Sequence, residues 1–107
     1  MRSDHIDWES GKVIFWDMEF LDLLKPLTEQ LSNLKEDLVQ VKYGDRVLDV
    51  GWYPEFSNEG EFVIRVVHGT NWDEPLFQES CRTTDGFWRC LKTAIKVAQG
   101  LSVPEVS

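Results

Sequence analysis

Carboxylates are the residues with the most chemistry to offer in this chain. Between Asp45 and Glu79 stand eight of them (Asp45, Asp49, Glu55, Glu59, Glu61, Asp73, Glu74 and Glu79), against two bases, Arg46 and Arg65. Two carboxyl groups held close together can divide general-acid and general-base work, as in glycoside hydrolysis. Asp49 with Glu61 or Glu79 is such a pair, although acids at this density also meet by chance. Trp52, Tyr53, Phe56 and Trp72 are interleaved with the same acids. That mixture suits a second chemistry, the capture of a basic protein surface: charge steers the encounter and large rigid rings anchor it.

Other reactive types are sparse. His5 lies in a polar lead-in, and His68 alternates in phase with the core side of its strand, so neither is placed as a catalytic base. Cys81 and Cys90 follow no metal-ligand spacing, and one possible pair is no disulfide framework. Arg82 and Arg89 stand next to them and would lower a thiol pKa, but a buried structural cysteine is the commoner case. The run Asn71-Trp72-Asp73-Glu74 is too short for a calcium loop, and there is no phosphate-binding glycine run. The expectation is a protein without metal, cofactor or catalytic residues.

Charge narrows the partner. The 107 residues carry a net charge of −8, distributed unevenly. Residues 1–44 hold nine acids and five bases, residues 45–81 eight and two, and residues 82–107 two and four. Phosphate binding needs clustered Lys and Arg, so nucleic acid and anionic membrane are disfavoured and a cationic protein fits. The N-terminus lacks the apolar stretch of a secretory signal, and no run approaches a membrane span of about 18 apolar residues. A cytoplasmic protein with reduced thiols is expected.

The elements that must position these side chains follow from periodicity. Residues 1–11 read as a polar lead-in, and Lys12 to Trp16 as either a short strand or the start of a helix. From Asp17, the residues Phe20, Leu23, Leu24, Leu27, Leu31 and Leu34 recur at helical spacing, which predicts an N-terminal helix kinked or broken at Pro26. Period two then predicts strands at Val39 to Tyr43, Arg46 to Tyr53, Glu61 to His68 and about Leu76 to Arg82. Gly44-Asp45 is read as a type II′ hairpin turn, and Pro54 as a strand end. Thr83 or Thr84 can cap a last helix carrying Phe87, Trp88, Leu91, Ala94, Ile95 and Ala98, with Gly100 as a left-handed stop. The tail from Leu101 is expected to be frayed. The sum is one α+β domain: a four-stranded antiparallel meander with both helices packed on one face and the other face solvated.

Two loops, Trp52-Tyr53-Pro54-Glu55-Phe56 and Asn71-Trp72-Asp73-Glu74-Pro75, each set an aromatic among carboxylates beside a stiffening proline. A loop ordered in advance loses less entropy on binding. The candidate partner-binding residues are therefore Asp49, Tyr53, Glu55, Phe56, Glu59, Glu61, Trp72, Asp73 and Glu74, with Trp52 assigned to the core.

Through Val50-Gly51-Trp52-Tyr53-Pro54, Gly60-Glu61-Phe62-Val63-Ile64 and Trp72-Asp73-Glu74-Pro75, residues 38 to 98 resemble small bacterial immunity proteins of contact-dependent growth inhibition and related polymorphic toxin systems. The resemblance implies a cytoplasmic antitoxin, a monomer that forms a 1:1 heterodimer with one cognate toxin domain and covers its active site. Many such toxins are nucleases with basic clefts, so an acidic inhibitor would imitate a phosphate backbone. The basic outer face of the last helix, with Arg89, Lys92 and Lys96, departs from a uniformly acidic mimic. Two other classes stay open: a small adaptor or regulatory binding module, and a carboxylate-dependent hydrolase.

Overall fold

Alternation of apolar and polar residues builds the sheet. A computed structural model describes residues 1–100, and the expected frayed tail lies outside the described residues. Five strands pair antiparallel in chain order: β1 (Lys12–Trp16), β2 (Val39–Tyr43), β3 (Arg46–Tyr53), β4 (Glu61–His68) and β5 (Phe77–Cys81). One α-helix, α1 (Thr84–Ala98), follows. The β2–β3 turn is the expected one: Tyr43 pairs with Arg46, and Gly44 sits at φ 60° as first residue of a two-residue loop. β3 and β4 stay in register over their full length, from Arg46 opposite His68 to Tyr53 opposite Glu61.

Val41, Leu48, Val50, Trp52, Phe62, Ile64 and Val66 point to one face and enter a single core cluster with Phe87, Leu91, Ala94, Ile95 and Ala98 of α1. The Thr83 hydroxyl oxygen accepts the Gly86 amide at 3.0 Å as N-cap, and Gly100 takes φ 78° just past the helix. Val63 and Val67 face the other side and are buried there too, outside the main cluster.

The N-terminal third departs from expectation. Lys12–Trp16 is a strand, with an irregularity in its pairing to β2 between Val13 and Phe15, so the sheet has five strands and not four. No N-terminal α-helix forms. Residues 17–37 make turns, with short 3₁₀ segments at Leu27–Glu29 and Leu31–Asn33. Of the helical-spaced stripe, only Leu23 and Leu34 are buried, while Met18 and Leu21, off that stripe, are buried as well.

The reason is competition for the backbone. Pro26 removes a donor, and side chains satisfy amides and carbonyls that a helix would pair. Gln30 accepts the Asp22 amide and donates to the Asp22 carbonyl, each at 2.7 Å, and Asp22 Oδ1 accepts the Leu24 amide at 2.9 Å. The chain's own α-amino group donates to the carbonyls of Met18, Glu19 and Leu21. The lead-in is thus structural: Trp8 is buried, and its carbonyl accepts the Tyr43 hydroxyl at 2.8 Å. Lys92 and Lys96 of α1 line a groove of about 440 Å³ together with Asp7 and Glu9, so part of the basic helix face looks onto acids of its own chain.

Candidate functional site

The nine candidate residues fall into three places. Glu55, Phe56 and Glu59 lie in the loop between β3 and β4. Trp72, Asp73 and Glu74 lie in the loop between β4 and β5, at the opposite end of the sheet. β4 is eight residues long, which separates the two loops by about 23 Å at roughly 3.3 Å per residue. Asp49, Tyr53 and Glu61 sit between them on the sheet face away from α1.

The β3–β4 loop is strapped to the core. Trp52 is buried, stacks edge-on against Phe62 at 5.0 Å, and donates its indole N–H to the Ser57 carbonyl at 2.9 Å. Gly60 lies so close beneath that ring that a Cβ would collide with the indole nitrogen. The Phe56 amide donates to the Leu34 carbonyl at 2.8 Å, and the Glu59 amide to Ser57 Oγ at 3.1 Å. Phe56 itself is held at φ 60°, a region bulky residues rarely occupy, with its side chain 49% exposed. The Tyr53–Pro54 peptide is cis.

The face away from α1 carries a polar row that the sequence reading did not assemble. Strand register sets Phe15, Gln40, Asp49, Arg65 and Gln78 side by side across all five strands. Gln40 donates to Asp49 Oδ1 at 3.2 Å, Arg65 donates to Gln78 Oε1 at 3.1 Å, and the Arg65 guanidinium lies 5.4 Å from the Tyr53 ring centre. Asp49 is only 4% exposed. Burial raises its pKa above the ordinary aspartate value, and Asp37 adds to the rise, while Gln40 and Arg65 oppose it. Asp37 lies near because the chain bulges between β2 and Lys35. Leu38 donates to Val50, Trp52 donates to Lys35, and the Glu36 carbonyl rests where a side chain on Gly51 would be.

These positions bear on the carboxylate-pair idea. Asp49 and Glu61 share a face, but Glu61 lies opposite Tyr53, four residues along β3 from Asp49. That spacing is about 13 Å, beyond the roughly 5–9.5 Å of a glycosidase pair. Glu79 pairs with Ile64 and therefore points to the opposite face from Asp49. Burial and the neighbouring Cys90 push the Cys81 thiol up to about 12, the reverse of an activated nucleophile. His68 is exposed at the end of β4, not turned into the core as its phase implied. Among the described residues no group of three or more His, Cys, Asp or Glu side chains is placed to hold a metal, and no helix is long and apolar enough to cross a membrane.

Sequence periodicity also concealed two surface residues. Phe20 is 80% exposed and Leu24 96% exposed, although both belong to the stripe read as core. They line an open depression of about 450 Å³ with Met1, His5, Glu19 and Asp22. Pro26, in the middle of that stripe, was the one signal against burying them on a helix.

Fold and surface together define a small acidic α+β domain built on a five-stranded meander. Compared with protein-family models, with curated proteins and with solved structures, the chain matches none.

Proposed function

We infer that this chain is an immunity protein, an antitoxin that binds a basic toxin domain, an RNase or other nuclease, and covers its active site. The observation that carries this reading is the state of the acids. Among the described residues there are two ion pairs, Arg2 with Asp4 at 2.7 Å and Lys35 with Asp17 at 2.9 Å. Glu55, Glu59, Glu61, Asp73 and Glu74 belong to neither. Acids left without intramolecular cations keep their full field for an incoming cationic surface, and they lose no internal partner when that surface arrives. In this reading the chain works in the cytoplasm as a monomer in a 1:1 heterodimer and has no catalytic step of its own.

The test is co-expression with the toxin domain encoded by the adjacent gene. The expected result is a 1:1 complex that protects the cell, with an association rate that falls as salt shortens the screening length from about 10 Å at 0.1 M to about 3 Å at 1 M. A neighbouring toxin that kills with this chain present, and that forms no complex with it, overturns the reading.

A further inference from the structure

Three surfaces of this molecule are unusual: the polar row around Asp49, the outer edge of β5, and the exposed apolar side chains at the β3–β4 end of the sheet. The third goes furthest, because independent observations meet there. Phe20 and Leu24 stand almost wholly in solvent, yet the backbone that carries them is clamped. The Phe20 carbonyl accepts from Asn33 Nδ2 at 3.4 Å, the Leu23 carbonyl accepts from the Thr84 hydroxyl at 3.2 Å, and the α-amino group holds Glu19 and Leu21. The next residue after Asn33, Leu34, accepts the Phe56 amide. Phe20 and Phe56 are therefore tied to consecutive residues, and Phe56 is itself held outward from a left-handed backbone. A floppy loop turns its apolar side chains inward when it can. Here hydrogen bonds fix the backbone that holds three large ones outside, which lowers the ordering cost left for binding.

Charge identifies what they meet. Among the described residues, Glu19, Asp22, Glu55 and Glu59 accompany these side chains and form no ion pair, and the nearby bases Lys25 and Arg82 form none either. We propose that Phe20, Leu24 and Phe56 form the anchoring face of this protein, received by an apolar pocket rimmed with Lys and Arg on a cationic protein partner. The proposal rests on the basic-partner reading above and deepens it, because it selects one end of the sheet. Trp72, Asp73 and Glu74, at the far end, lie outside this contact.

The experiment titrates the isotope-labelled full chain with two synthetic probes, an amphipathic Lys–Leu peptide and an oligolysine of equal charge, and follows backbone amide shifts. The expected result is binding of the Lys–Leu peptide at least tenfold tighter than oligolysine, with shifts centred on residues 19–25 and 55–57. The double variant Phe20→Ala/Leu24→Ala should weaken that binding by about tenfold or more, the loss expected for an anchoring pair. Its melting temperature should match wild type, which separates lost contact from lost fold. Equal binding of both probes, or shifts centred on residues 72–74, overturns the anchoring face and leaves the basic-partner reading standing. Binding of the Lys–Leu peptide that survives 1 M salt unchanged removes the cationic rim and with it the basic-partner reading. Shifts at residues 19–25 that grow with protein concentration alone assign the face to a second copy and overturn the proposal, as does a failure of the Lys–Leu peptide to bind.

Discussion

The two loops at opposite ends of the sheet look alike as strings of residues and differ as physical objects. Each places aromatic rings and carboxylates beside a proline. The β3–β4 loop is fastened by a buried indole, a side-chain hydroxyl and a backbone bond to a distant segment. The β4–β5 loop is joined to the rest of the chain by main-chain bonds such as Gly69 to Asp45 and Leu76 to Val66, and closes on itself through short turns at Asn71 and Trp72. Among the described residues, no side-chain hydrogen bond involves residues 69–76. Stiffness therefore comes from what a loop is tied to, and composition alone does not supply it.

Glycine substitutions break this comparison most sharply. Gly60→Ala drives a methyl group into the Trp52 ring, an overpacking expected to cost about 1–3 kcal/mol. Gly69→Ala meets nothing within 4 Å and suffers only from φ 62°, a cost of about 1–2 kcal/mol. Thermal melts should show the larger drop for Gly60→Ala, at about 4–8 °C per kcal/mol for a domain of this size. Equal drops would mean that the two loops are fastened alike. Trp52→Phe comes next. It keeps a ring against Phe62 and leaves the Ser57 carbonyl without its indole donor, at about 1 kcal/mol. Amide exchange should quicken at residues 55–60 and stay unchanged at residues 70–75.

Local rules were enough for most of the sheet and for the helix. Strands β2 to β4 announce themselves by alternation, the turn by a glycine, Gly44, standing first in a two-residue loop, and α1 by Thr83 and Gly100 at its two ends. The segment before β2 was not legible, because what holds it is far away in sequence. The α-amino group bonds residues 17 to 20 positions downstream, and Thr84 reaches Leu23 across 61 positions. Helical spacing of Phe20 and Leu24 carries no trace of those bonds, so two residues that face solvent read as core. The candidate site shows the same limit. Residue types in both loops could be read directly, but register across five strands was needed to bring Gln40, Asp49, Arg65 and Gln78 into one row.

A milder test relieves strain at the fastened end. Phe56 sits at φ 60°, and a left-handed backbone costs an L-residue about 1–2 kcal/mol that glycine avoids. Glycine also gains unfolded-state freedom, so Phe56→Gly should leave the melting temperature near that of wild type, within about 1 kcal/mol. Affinity for the Lys–Leu peptide should fall all the same. A fall in stability instead would make the exposed ring part of the strap, and would shrink the anchoring face to Phe20 and Leu24.

The smallest effect concerns the ground between the two ends. Asp49 is buried on the open face, and its pKa is raised first by that burial. A carboxyl whose folded pKa exceeds its unfolded one favours the folded state most below the unfolded value, and that contribution is lost as pH rises through the folded value. Asp49 thus weakens the fold at neutral pH relative to acid, opposite to a salt-bridged aspartate. Asp49→Asn keeps an oxygen for the Gln40 amide and removes the buried charge. Its melting temperature should exceed that of wild type at pH 7, and the gap should close as pH falls to the ordinary aspartate range. A gap that is constant with pH would mean that Arg65 already neutralises Asp49. A lower melting temperature at pH 7 would make the charge itself part of what holds β2, β3 and β4 together, and the open face would then join the fastened end as one rigid unit.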